Sequence, residues 1–160
     1  MRRQSSIIFL VLFPIVTLGG LFYFLHFYQN SSSNYEKKPI EWRENQTQCS
    51  QCSMYLSHKL HSVQLVDTRG KTHFFDDIGC LVAWLRAHQE SAKEFVIWVY
   101  SLDTHRYIDA LKARYVAGEE TPMRYGFGAY EKVREGSISF DELSLKIPHA
   151  QQHTHEIKTH

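Results

Sequence analysis

The sequence is poor in the residues that most often carry chemistry: among 160 residues there are three cysteines, three methionines and four prolines. Three cysteines exclude a miniprotein built on a disulfide framework, and they exclude a zinc ribbon, which needs a second cysteine pair. Acidic residues are missing from the first 35 positions, since all seventeen lie at or beyond Glu36. An excess of either charge is missing too. The formal net charge is +1, and setting aside Arg2 and Arg3 leaves sixteen basic against seventeen acidic side chains. So balanced a body excludes nucleic acid as the main partner, because a phosphate backbone requires a concentrated basic surface. With 43% hydrophobic residues and a mean hydropathy of -0.36, the chain is neither polytopic in a membrane nor disordered. Its length excludes two full-sized domains.

The mean hydropathy conceals a hydrophobic head on a polar body. Ile7 to Tyr28 contain no Asp, Glu, Lys or Arg, and as a helix this stretch would extend roughly 33 Å, enough to cross a bilayer. It ends in Phe22, Tyr23, Phe24, His26, Phe27 and Tyr28, aromatics that suit a membrane interface better than a signal-peptidase site. Arg2 and Arg3 precede it, which predicts a cytoplasmic N-terminus and a single-pass anchor in the inner membrane, with the C-terminal domain on the periplasmic side. The chain therefore divides into an anchor (1–28), a polar linker rich in Ser and Asn (29–40), a domain (41–148) and a histidine-containing tail (149–160).

Within the domain, Val63 and Leu65 alternate with polar residues. A turn at Thr68–Lys71 separates them from His73, Phe74 and Phe75, which predicts a hairpin. Asp76 or Asp77 then caps a helix carrying Ile78, Leu81, Val82, Trp84 and Leu85, ending near His88. Phe95 to Tyr100 form a continuous apolar strand. The second half suggests the same order: Tyr107 to Val116 is ambiguous between helix and strand, Ala129, Tyr130 and Val133 suggest a short helix, and Ser137 to Leu143 alternates as a strand. The expectation is an α+β protein of two small strand–strand–helix–strand modules with mixed sheets, preceded by the transmembrane helix.

The densest cluster of metal-binding side chains is Cys49, Ser50, Gln51, Cys52, Ser53, Met54. Two thiols three positions apart chelate a metal or close a small disulfide ring, and the thioether adds a soft neutral donor suited to Cu(I). Apart from Met1 the only other methionine is Met123, which stands in the turn-like run Thr121, Pro122, Met123, Arg124, Tyr125, Gly126.

Taken in order, C-x-x-C-x-M, the segment Phe74 to Leu81, Tyr107 to Val116, and Thr121, Pro122, Met123 with Gly126 and Ala129 resemble the NosL family of copper-binding accessory proteins of nitrous oxide reductase. The resemblance runs from about Cys49 to about Leu143. It implies a non-enzymatic periplasmic Cu(I) metallochaperone for denitrification. Its partners would be the nitrous oxide reductase maturation machinery, including an ABC-type membrane transporter complex. The motif correspondence makes Cys52, Met54 and Met123 the copper ligands. This chain departs from the family in using a transmembrane helix where many members are lipoproteins, and in placing Ser53 where glycine is common.

Cys49 is open between a further ligand and a reversible disulfide with Cys52, the latter favoured by an oxidising compartment. Cys80 reads as a small buried hydrophobe, His58 and His61 as solvated or packed side chains near enough to supply an auxiliary imidazole, and the tail histidines as solvated. Trp42, Trp84 and Trp98 read as packing aromatics. The rival reading is a membrane-anchored thiol-disulfide oxidoreductase using Cys49 and Cys52. Against it, Ile40 to Gln48 hold too few apolar positions for the strand that precedes such a motif. An organomercurial lyase-like activity rests on fold analogy alone.

Overall fold

The computed structural model describes residues 13–24 and 33–148. Residues 13–24 form helix α1, with Phe13, Ile15, Val16, Leu18 and Leu21 exposed. The expected span of residues 7–28 extends beyond the described residues at both ends. Among the described residues no helix is long and apolar enough to cross a membrane.

The domain follows the order β1 (Val63–Val66), β2 (Thr72–Phe75), α2 (Ile78–Ala87), a short 3-10 turn (Ala92–Glu94), β3 (Val96–Tyr100), β4 (Tyr107–Asp109), β5 (Arg114–Ala117), β6 (Phe127–Tyr130) and α3 (Phe140–Lys146). The first half is the expected strand, strand, helix, strand. Its sheet has the order β2-β1-β3-β4 and is antiparallel throughout, which corrects the expectation of a mixed sheet. The helical crossover from β2 to β3 does join two strands of the same direction, but β1 lies between them and runs the opposite way, so no parallel pair forms.

The second half departs further. Residues 107–116 split into β4, which completes the first sheet, and β5, which pairs antiparallel with β6. The separation is set by Asp109, whose Oδ1 accepts from the Leu111 N–H at 2.9 Å and whose backbone carbonyl accepts from the Ala113 N–H at 3.0 Å. The short helix expected from Ala129 is the strand β6, and the last expected strand is helix α3; Ile138 alone keeps a bridge to Tyr115. A reciprocal cap explains the helix: Ser139 accepts from the Glu142 N–H while the Glu142 carboxylate accepts from the Ser139 N–H, satisfying two donors that strand pairing would otherwise have to meet.

The inner face of the four-stranded sheet carries Val63, Leu65, Phe75, Ile97 and Val99, all at most 2% exposed, and α2 adds Ile78, Leu81, Val82 and Leu85 to the same core. Tyr115 joins it from the second sheet, fully buried, with its hydroxyl donating to the Ala110 carbonyl at 2.8 Å. The outer face is covered by the chain's own lead-in segment. Asn34 N–H donates to the Gly70 carbonyl at 2.6 Å, Trp98 Nε1 to the Lys37 carbonyl at 2.8 Å, and Trp42 Nε1 to the Tyr107 hydroxyl at 2.8 Å. Between these, the buried Gln64 amide accepts from the Ile40 N–H and donates to the Ile40 carbonyl, both at 2.9 Å. Within 29–40, the residues from Asn34 onward therefore form a strap laid along the sheet, from the β1–β2 turn toward the opposite end.

Candidate metal centre

The strap delivers the chain to a tight hairpin at the end of β2. Gln48 and Tyr55 pair antiparallel, the Cys49 N–H donates to the Met54 carbonyl at 2.8 Å, and the Ser53 N–H returns to the Cys49 carbonyl at 3.0 Å. Closing so short a loop puts Ser53 at φ +62°, a left-handed conformation that glycine adopts without cost and other residues at about 1–2 kcal/mol. The position singled out for lacking glycine is thus the one where the backbone favours it. One further bond, Ser50 N–H to the Phe74 carbonyl at 2.8 Å, ties the hairpin to β2.

Two residues past Phe74 the chain leaves the sheet and enters α2. Asp77 is the cap: its Oδ1 accepts from the Gly79 N–H at 2.9 Å. Asp76, its neighbour, turns toward the hairpin, and Cys80 comes from the first turn of α2. Cys49, Cys52, Asp76 and Cys80 thereby converge, with three sulfurs and a carboxylate oxygen all within 4.8 Å of one another. Cys49, Cys80 and Asp76 are buried, at 2%, 1% and 4% exposure, and Cys52 is half-buried. The three thiols are free. The Cys52 thiol donates to Asp76 Oδ2 at 3.5 Å, whereas Asp76 Oδ1 is buried without a hydrogen-bond partner. A buried carboxylate oxygen left without a donor is costly, and a cation held among these groups would supply its missing partner.

The thiols are not equivalent. A hydrogen bond from the Cys80 thiol, aided by the backbone N–H groups of Cys52, Asp76 and Gln51 and opposed by burial, lowers Cys49 to about 7. The same bond, with burial, pushes Cys80 well above the ordinary thiol range. Burial, together with the charge on Cys49 and Asp76, raises Cys52 to about 12, although the Met54 N–H works against it. Among the three thiols of the metal-free site Cys49 is accordingly the first to ionise, and a bound cation would be needed to bring the other two to thiolate.

Met54 lies within the hairpin and is 50% exposed, and Met123 is half-buried and packed against the core. Met123 stands on a turn whose backbone faces Asp77. Burial raises the Asp77 carboxyl, and the Thr121 hydroxyl and Met123 N–H facing it oppose that rise. The turn Thr121–Gly126 from the second half meets the start of α2 from the first, where the Tyr125 ring lies against Gly79. His58 and His61 stand outside the four converging groups and line a cleft of about 570 Å³ with Glu119, Glu120 and Arg124. Trp84 packs among Phe75, His73, His88 and Phe95. The tail histidines lie outside the described residues.

Sequence reading missed Asp76 and Cys80 as members of the centre. By sequence Asp76 reads with Asp77 as a helix cap, and Cys80 as packing. No local spacing announces them: Asp76 precedes the extended cap Asp77, Cys80 follows in the first turn of α2, and both meet the motif cysteines only because the hairpin is tied to β2.

No protein-family model matches the sequence, and no curated protein matches it. Among solved structures, the crystal structure of the copper chaperone NosL from Shewanella denitrificans superposes with a TM-score of 0.56 at 17% sequence identity, covering 66% of this chain and 95% of that chain. The protein thus has a NosL-like α+β fold, with a group of three thiols and one carboxylate placed to hold a metal.

Proposed function

We propose that this chain is a membrane-tethered, periplasmic Cu(I) carrier that supplies copper for maturation of nitrous oxide reductase through an ABC-type transporter complex. The observation that carries the reading is the convergence of Cys49, Cys52, Cys80 and the partnerless carboxylate oxygen of Asp76 within one half-buried pocket. Soft thiolates suit Cu(I), and Met54 and Met123 would add neutral thioethers. Cys52, the most accessible of the three thiols, is the group at which an incoming or departing ion would first be shared. The solved copper chaperone of similar fold supports the same assignment. Arg2 and Arg3 before the apolar head, and the exposed apolar side chains of α1, support a single-pass anchor with the N-terminus in the cytoplasm.

The oxidoreductase reading is disfavoured by the ordering of the thiols. Such an enzyme attacks with an accessible thiol of lowered pKa, usually at a helix N-terminus. Here the lowered thiol, Cys49, is 2% exposed, the accessible Cys52 is raised to about 12, and both stand in a hairpin. One alternative cargo is favoured by a specific feature: three thiols and a carboxylate are a complete tetrahedral set for Zn(II). Titration of the reduced full chain in detergent, with Cu(I) against a chromophoric chelator and in parallel with Zn(II), decides between them. One tight Cu(I) site is expected, weakened at least about 100-fold by Cys52→Ala and about tenfold by Met54→Ala or Met123→Ala. Cu(I) binding indifferent to Cys52→Ala rejects the assignment.

A further inference from the structure

The turn Thr121–Gly126 carries one large side chain whose seat is carved into the start of α2. The ring of Tyr125 lies against Gly79 so closely that a β-carbon there would overlap its Cγ and both Cδ atoms. Gly79 has ordinary helical φ, so its lack of a side chain answers to this contact and not to backbone strain. It sits beside Cys80 and two residues beyond Asp77, in the first turn of α2. Tyr125 is half-buried and packs on the same core as Cys52 and Met123. Gly79 is the chain neighbour of Cys80 in the first turn of α2, so the ring seated on it stands next to the helix segment that carries this thiol.

The turn holding this ring is itself well fixed. The Arg124 N–H donates to the Thr121 carbonyl at 3.0 Å, the Gly126 N–H to the Thr121 hydroxyl at 3.1 Å, and the Gly118 N–H to the Gly126 carbonyl at 2.9 Å. Arg124 and Gly126 both take positive φ, +58° and +77°, so the reversal that projects Tyr125 toward α2 is built into the backbone. At the other end of the turn, Thr121 and Met123 face Asp77.

We propose that Tyr125 is the lid of the thiol pocket, a positioning residue that screens Cys52 from solvent and from thiol-reactive molecules and slows escape of a bound ion. Gly79 is the notch that lets the lid close. Because Tyr125 shares a short turn with Met123, one movement of the turn would uncover Cys52 and withdraw the thioether together. The lid concerns access to the thiols, so it stands apart from the identity of the cargo; only its effect on ion release rests on the Cu(I) reading.

The test uses the reduced, metal-free full chain in detergent and an aromatic disulfide reagent, which each accessible thiolate cleaves to leave a mixed disulfide and release one coloured thiolate. Peptide mass spectrometry assigns the labelled cysteine. Tyr125→Ala is expected to speed labelling of Cys52 about tenfold, and Tyr125→Phe, which keeps the ring, less than about twofold. Gly79→Ala, whose β-carbon displaces the ring, is expected to speed labelling in the wild-type background and to add nothing in Tyr125→Ala. Thermal unfolding of each variant shows that the rates belong to folded protein. Should Tyr125→Ala lose its fold, the comparison of Gly79→Ala with wild type decides. Equal Cys52 labelling in wild type and the folded ring-displaced variant overturns the lid, as does a Gly79→Ala effect that persists without the ring. In a second arm, Cu(I) transfer to a bidentate chelator is expected to be faster from Tyr125→Ala with a smaller change in affinity. Absence of Cu(I) uptake by wild type would reject the carrier reading and leave the labelling result to decide the lid.

Discussion

The thiol of Cys52 lies 3.5 Å from Oδ2 of Asp76, a residue 24 positions further along the chain. One group comes from a hairpin and the other from the strand-to-helix junction, so the contact exists only once β2 has received the hairpin through Ser50. It brings a hard oxygen donor into a soft sulfur site. Asp76→Asn keeps the volume and removes the charge, and it separates the two candidate cargos because thiolates alone satisfy Cu(I) while Zn(II) gains from a carboxylate. The expected outcome in competition titrations is a loss of Zn(II) affinity of about 10- to 100-fold with a Cu(I) loss below about tenfold. Equal losses for both ions would contradict the division of labour.

Cys80 tunes Cys49 by hydrogen bonding. Because the Cys80 thiol is the first cause of the lowering of Cys49 to about 7, Cys80→Ala should return Cys49 toward the ordinary thiol range near about 8.5, and Cys80→Ser, which keeps a donor, should do so less. The sign follows from the lowered value: thiolate stabilisation in the folded, metal-free protein is present above the unfolded thiol pKa and lost as pH falls through about 7. The measurement is the pH dependence of Cys49 alkylation, resolved by peptide mass spectrometry. Its midpoint should move upward in Cys80→Ala, and an unmoved midpoint would place the cause elsewhere.

Legibility in the sequence tracked locality. The hairpin β1–β2, the Asp77 cap and α2 came from spacing within a dozen residues, and each is present in the structure. The second half was less readable because Tyr107 to Val116 has no single period: Asp109 breaks it into strands of two different sheets. The helix at Phe140–Lys146 was readable after all, since Ser139 and Glu142 form a capping box, but the alternation of Ser137 to Leu143 was given more weight. At the site, the motif cysteines were legible because C-x-x-C is contiguous. Asp76 and Cys80 join them only through the Ser50–Phe74 pairing of hairpin and sheet, a long-range contact that no local pattern announces. The strap was hidden for a similar reason. Gln64 looks like the polar, solvent-facing half of an alternating strand, yet it is wholly buried under Ile40.

That buried amide makes the strap testable. Gln64→Ala removes both partners of the Ile40 backbone while leaving its N–H and carbonyl covered, which costs about 1–3 kcal/mol for groups left unsatisfied. Urea denaturation of the domain should show a loss of that size, with the slope of the transition retained. Gln64→Glu keeps the acceptor for the Ile40 N–H but meets the Ile40 carbonyl with a second acceptor, so it should be at least as harmful at neutral pH. A loss below about 0.5 kcal/mol in both variants would mean that the strap leaves the sheet readily and contributes little to holding the thiol hairpin.

Asp103 offers a pH-dependent counterpart far from the thiols. It stands in the β3–β4 loop, where its carboxylate accepts from the Ser101 hydroxyl at 2.5 Å, the Glu131 N–H at 3.0 Å and the Lys132 N–H at 3.2 Å, joining the first sheet to the end of β6. Burial opposes ionisation, but these three donors prevail and hold the carboxyl at about 2. Because the folded value lies below the unfolded one of about 3.9, the stabilisation is fully present above about pH 4 and is lost as pH falls through about 2. The site is near the surface, and solvent screening limits its worth to about 1 kcal/mol. Asp103→Asn should therefore destabilise the domain by about that amount at pH 7, with the difference from wild type narrowing as pH is lowered from about 4 toward 2 in urea denaturation. A difference that stays constant over that range would show that the carboxylate's charge is not what fastens the loop to β6.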